Sequence, residues 1–172
     1  MQYPELLKPQ SSQPILLPSG REIQLPKATP IFRRWRGDMP ADTFNHKPVL
    51  DFDGEMVFAE LAIVRIFQKA GWRGRWIDSY RHKYRVGYWG ENVTEPLPPK
   101  QFAILDSIRA GCFGGCFDVF CWRDCAILFA ESKWKGHDAF RSTQRCWLEA
   151  ALLSVANLSA SFLIVEWSLD RA

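Results

Sequence analysis

The sharpest hydrophobic patterning lies in the second half of the chain. An apolar run from Cys116 to Trp122 carries one acidic residue, Asp118, and a second run from Ala126 to Lys133 follows after Arg123-Asp124. Two short apolar runs joined by a turn predict an antiparallel hairpin. Glu131 and Lys133 are two apart on the second run, so the period of two puts both on one face and Ser132 on the other. From Ala139 to Ala156 the apolar residues Phe140, Trp147, Leu148, Ala151 and Val155 recur at helical spacing, with Gln144 in the same inward stripe. A last apolar strand, Ser161 to Trp167, is reached through that helix, and a helical crossover of this kind favours a mixed sheet.

Upstream, the stretch from Gly54 to Ala70 (GEMVFAELAIVRIFQKA) predicts a helix stopped by Gly71 and apolar almost all round, hence buried on most sides. Glu60 is its only charge between Glu55 and Arg65. A carboxylate there must be paired, protonated or bound to a metal. Lys100 to Arg109 predicts a short helix, and Tyr84, Val86 and Tyr88 alternate as in a strand. Residues 1–48 hold eight of the 11 prolines and read as an extended arm. Within it Ile15-Leu16-Leu17, Pro18-Ser19-Gly20 and Arg21 to Leu25 predict a small hairpin. The expected organisation is that arm followed by one folded domain over 49–172.

Composition narrows the class. With 172 residues, 47% hydrophobic and 14% aromatic, the chain can bury a real core and falls outside the disordered regime. No apolar run reaches the roughly 18 residues of a membrane span. The first twenty residues do not resemble a secretory signal, which places the expected location in the cytoplasm. Of five cysteines, Cys112, Cys116, Cys121 and Cys125 crowd together with spacing C-x3-C-x4-C-x3-C. This is neither a disulfide framework nor the paired C-x2-C pattern of structural zinc, although a metal-binding thiol cluster stays open as an alternative.

The net charge of +3 carries little information, but its distribution carries more. Arg65, Lys69, Arg73, Arg75, Arg81, Lys83 and Arg85 are answered nearby only by Asp78, and Trp72, Trp76, Tyr80 and Tyr84 interleave with them. Such a stripe suits a phosphate backbone and its bases, and equally suits a solvated face.

Should Asp118 and Glu131 come within about 4 Å, they would repel by roughly 4 kcal/mol at an effective dielectric of 20. A divalent cation removes that conflict, and Mg²⁺ accepts a sparse oxygen shell of one or two carboxylates completed by water and phosphate. Lys133 beside it could hold or deprotonate a water and offset charge on phosphorus.

An aspartate followed by Glu-x-Lys on adjoining strands resembles the signature of the PD-(D/E)XK nuclease superfamily. Glu131-Ser132-Lys133, Gly136, Asp138, Gln144 and Trp147-Leu148 resemble its VRR-NUC branch, over a span running mainly from Gly114 to Trp167. The resemblance implies a restriction-endonuclease-like α/β fold, a mixed sheet flanked by the 54–70 and 139–156 helices. It implies Asp118 and Glu131 as ligands of Mg²⁺ or Mn²⁺, with the Ser132 carbonyl beside them and Glu60 supporting the metal site. Lys133 would be the catalytic lysine and Gln144 would orient it or the phosphate. Phe117 stands where the family has proline, Trp134 where it has a small residue, and one extra residue separates Glu131 from Asp138 and Gln144. The implied activity is that of an endo- or exodeoxyribonuclease hydrolysing DNA phosphodiesters at branched or junction structures, as a homodimer. Arg73, Arg75, Arg81, Lys83 and Lys135 would contact the DNA. The alternative is a catalytically silent module of the same fold that binds nucleic acid or a protein partner.

Overall fold

The computed structural model describes residues 2–39, 43, 47–78, 83–88, 95–112 and 114–170. Among them ten strands and three helices follow in chain order: β1 (Ser11–Leu16), β2 (Glu22–Ala28), β3 (Ile31–Arg34), β4 (Leu50–Phe52), β5 (Glu55–Val57), α1 (Ala59–Lys69), β6 (Arg73–Asp78), β7 (Lys83–Arg85), α2 (Pro99–Gly111), β8 (Val119–Arg123), β9 (Ala126–Trp134), α3 (Ser142–Ser154) and β10 (Ser159–Leu169). All strands join one mixed sheet in the order β5-β4-β3-β10-β9-β8-β6-β7, with β2 also beside β10 and β1 outside β2.

Its centre is the parallel pair β9 and β10, in register from Ser159 opposite Ala126 to Trp167 opposite Trp134. Parallel neighbours need a long connection, and α3 supplies it. β8 and β9 form the expected antiparallel hairpin, closed by Asp124-Cys125 between the paired Arg123 and Ala126. Alternation along these strands sorts the core onto two faces. Val119, Cys121, Leu128, Ala130, Leu163 and Val165 pack with α1. Phe120, Trp122, Ile127, Phe129, Phe162 and Ile164 pack with α2, α3 and the β1–β2 hairpin. This face packs tightly: a Cβ on Gly74 would stand 2.7 Å from the Cys121 sulfur of β8 and 3.3 Å from Val64 of α1.

Two expectations need correction. The helix expected from Gly54 begins only at Ala59, because Glu55 to Val57 form β5 instead. Asp53 and Gly54 both adopt positive φ, 52° and 83°, which is the geometry of the two-residue hairpin turn that Asp-Gly favours; Phe52 pairs with Glu55 across it. The proline-rich segment, expected as an extended arm, contributes three strands to the sheet itself. Its hairpin forms as expected, and β2 then β3 run along the free edge of β10. Pro14 lies in the outermost strand, where a missing N–H is tolerated. Among the described residues no helix is long and apolar enough to cross a membrane.

Candidate metal centre

β8 begins at Val119, so the edge of β9 beyond Ala130 has outrun its partner strand. The Asp118 carboxylate fills that place, accepting the Ser132 N–H at 3.0 Å. Its own carbonyl accepts the Ile77 N–H at 2.7 Å, which anchors Asp118 to β6. The N–H and C=O of a strand residue point to the same edge, so the Ser132 carbonyl lies on the Asp118 side. The Ser132 hydroxyl faces away and accepts from Trp167 Nε1 at 3.0 Å.

Glu131 and Lys133 share the α3 face, as the period of two requires. Lys133 Nζ lies 2.9 Å from Glu131 Oε1 and donates to Gln144 Oε1 at 3.0 Å. Gln144 Nε2 donates to the same Glu131 oxygen. Gln144 also caps its helix, its Oε1 accepting the Arg141 N–H at 2.9 Å in a capping box. One side chain therefore fixes the start of α3, the glutamate and the lysine together. Gly115 fixes the helix from the other side. A Cβ there would stand 2.1 Å from the Thr143 carbonyl oxygen, and its φ of +73° also favours glycine.

Both carboxylates are held against their own charge. Glu131 is 1% exposed, and its Oε2 is buried with no hydrogen-bond partner. Burial first, then the Asp118 charge, pushes its carboxyl well above the ordinary range, against the pull of Lys133. Burial and next the Glu60 charge push Asp118 up to about 6, opposed by Lys47, the Ser132 N–H and Lys133. A buried carboxylate oxygen with no donor, within the influence of a second carboxylate, is the arrangement that a cation relieves.

Two carboxylates and an adjacent carbonyl are the donor types that a hard divalent cation accepts. Glu60, expected to support the metal site, is engaged by a lysine. Its carboxylate forms an ion pair with Lys47, and among the described residues no three His, Cys, Asp or Glu side chains are placed to hold a metal. Lys47 is the site residue that sequence reasoning missed. It precedes Pro48 in the proline-rich segment and belongs to no periodic pattern; only the need of buried Glu60 for a partner pointed to a cation somewhere.

The expected DNA contacts separate. Lys83 and Lys135 are exposed near the Asp118 end of the sheet: Lys83 pairs with Asp78, and Lys135 directly follows β9. Arg73 pairs with Trp122, four residues along β8 from Asp118 and thus about 13 Å away. Arg75 is a correction, because its side chain is 8% exposed, bonded to Glu95 at 2.6 Å and set over the Trp122 ring. Arg81 lies outside the described residues. The basic stripe is also answered more fully than its local sequence suggests, since in addition to Arg85 with the nearby Asp78, Arg65 pairs with Glu55 and Lys69 with Asp53. The four clustered cysteines do not converge: Cys121 faces α1, Cys125 is exposed in the β8–β9 turn, and Cys112 lies against Cys146 of α3.

No family model matches the chain, and comparison with curated proteins and with solved structures yields no match either.

Proposed function

We propose that the chain is a divalent-metal-dependent nuclease on a restriction-endonuclease-like fold, hydrolysing DNA phosphodiesters at branched or junction structures, as a homodimer. One observation carries this reading: Glu131, Lys133, Gln144 and Asp118 meet where β9 outruns β8, with one buried Glu131 oxygen unpartnered. Asp118, Glu131 and the Ser132 carbonyl would hold Mg²⁺ or Mn²⁺. When bound, such a cation polarises the phosphodiester and stabilises charge on the leaving oxygen.

The protein's own groups do the remaining work. An ammonium has three donors. Lys133 commits two of them, to Glu131 and Gln144, which aims the third at a phosphate oxygen or an attacking water and fixes it against rotation. Preorganised donors of this sort act where charge develops in the transition state. Gln144 is a positioning residue, since it holds Glu131 and Lys133 at a constant separation. Lys83 and Lys135 supply positive charge where a DNA backbone would approach.

The test is cleavage of branched and linear DNA with Mg²⁺ or Mn²⁺ by wild type, Asp118→Ala and Lys133→Ala. Both variants are expected to lose at least about 100-fold in rate, the usual scale for removing a transition-state donor or metal ligand. Equal activity in all three proteins would sink the reading. Salt-sensitive DNA binding without cleavage by any of them would instead favour the silent binding module.

A further inference from the structure

Two lysines flank the acidic cluster, from well-separated parts of the chain. Lys133 is held on the Glu131 side by β9 and α3. Lys47 reaches the other side from the segment leading into β4, and its ammonium pairs with Glu60 and lies 5.5 Å from the centre of the Phe58 ring. Glu60 is in the first turn of α1 and mostly buried, with its carboxylate against the Lys47 ammonium. A buried glutamate whose charge acts on Asp118 is itself a candidate ligand. Lys47 has taken that role away from it.

Charge balance points the same way. Glu60, Asp118 and Glu131 bring three negative charges when ionised, and Lys47 and Lys133 return two positive ones. A single divalent cation leaves the cluster with one positive charge, enough to meet the one negative charge of a phosphodiester. Two divalent cations would leave three positive charges in a confined space, a cost that rises as the dielectric falls.

We propose that the Lys47 ammonium occupies the Glu60–Asp118 side of the cluster in place of a second divalent cation, so that the protein binds one cation, at Asp118 and Glu131. Lys47 is then a positioning residue that sets metal stoichiometry and holds the far side of the cluster electropositive. The proposal rests on the metal-dependent reading above and adds to it the number of cations and the group that limits it.

Mn²⁺ titration by calorimetry, read alongside the electron paramagnetic resonance of bound Mn²⁺, tests this on the full chain without substrate. Wild type is expected to bind one Mn²⁺ with the spectrum of an isolated ion. Lys47→Met keeps the aliphatic stem and removes the charge; it should bind two, with the broadened spectrum of coupled ions about 4 Å apart. Lys47→Arg should stay at one, and Lys47→Met with Glu60→Gln should return to one. Glu60→Gln alone should still bind one Mn²⁺, with affinity within about threefold of wild type, and this arm stands even if Lys47→Met fails to fold. Two ions in wild type, one in folded Lys47→Met, or no binding by Glu60→Gln would each overturn the proposal while leaving a metal site in place. No binding by wild type would overturn the metal reading itself and this proposal with it.

Discussion

The molecule concentrates charge in two regions and treats it in opposite ways. Around β6, β7 and α1 four of the six described cations meet an acid, three of them from other elements: Arg65 with Glu55, Lys69 with Asp53, Arg75 with Glu95, and Arg85 with Asp78 of the neighbouring strand. Where β9 outruns β8, three acids, Asp118, Glu131 and Glu60, share two lysines, Lys133 and Lys47. A matched pair has little charge left to offer a ligand, even where one atom, Arg75 Nε, is buried without an acceptor. A buried carboxylate oxygen without a donor has a great deal, and the fold holds it there at a cost in stability. Density of charge along the sequence points to the first region; imbalance of charge in space points to the second.

The largest expected effect tests whether the matched region is structural. Asp78 and Arg85 are buried side chains of adjacent strands, joined at 3.0 Å, with the guanidinium set against the Trp76 ring. Asp78→Ala takes the carboxylate away from that buried guanidinium, and breaking a buried pair from one side costs about 3–5 kcal/mol. Urea unfolding should show the loss as a lower midpoint at unchanged slope. A loss below about 1 kcal/mol would mean that this pair contributes little, and the contrast between the regions would weaken.

An opposite sign is expected at the site. Because folding raises the Asp118 carboxyl from 3.8 to about 6, the folded state holds its proton more tightly than the unfolded state does. Metal-free stability contributed by this group is therefore fully present below about pH 4 and is lost as pH rises through 6. Asp118→Asn keeps an acceptor for the Ser132 N–H and removes the charge. At pH 7 without metal it should stabilise the protein by roughly 1–2 kcal/mol, the shift being discounted for solvent that reaches the carboxylate. The gain should vanish near pH 4. Wild type should bind Mn²⁺ more tightly as pH rises through 6, releasing protons as it does. A variant less stable than wild type at pH 7 would show that the carboxylate is satisfied without a cation.

These contrasts also explain what could be read in the sequence. The β8–β9 hairpin, the shared face of Glu131 and Lys133 and the inward Gln144 follow from local periodicity, which the strand and helix impose directly. The β4–β5 hairpin was visible as well, since Asp53-Gly54 is a turn signature, but the apolar run after it read as helix. Three features were not legible. The β2–β10 and β3–β10 pairings join segments more than 130 residues apart, where edge strands choose partners by the shape of the whole sheet. The acids that answer Arg65, Lys69 and Arg75 come from other elements, so a local charge count misses them. Lys47 reaches Glu60 only because β4 and β5 carry it back alongside α1.

The smallest effect concerns the residues that the basic stripe offered first. Arg73 is exposed at the far end of β6, about 13 Å along the sheet from Asp118. At physiological salt that exceeds the Debye length of about 8 Å, so its charge is largely screened from the cluster. Lys135 follows β9 at the open end, its N–H tied to the Trp167 carbonyl at 2.9 Å and its side chain exposed. If the unbalanced cluster is where nucleic acid arrives, only the second lysine neutralises a phosphate there. DNA affinity measured without metal over a range of salt should then separate the two. Lys135→Ala should flatten the dependence of log affinity on log salt by about one unit, and Arg73→Ala should leave the slope unchanged. Equal flattening by both would extend the binding surface along the whole of β6 and erase the distinction between the two regions. Flattening by Arg73→Ala alone would reverse it, and make the stretch richest in basic residues the binding face after all.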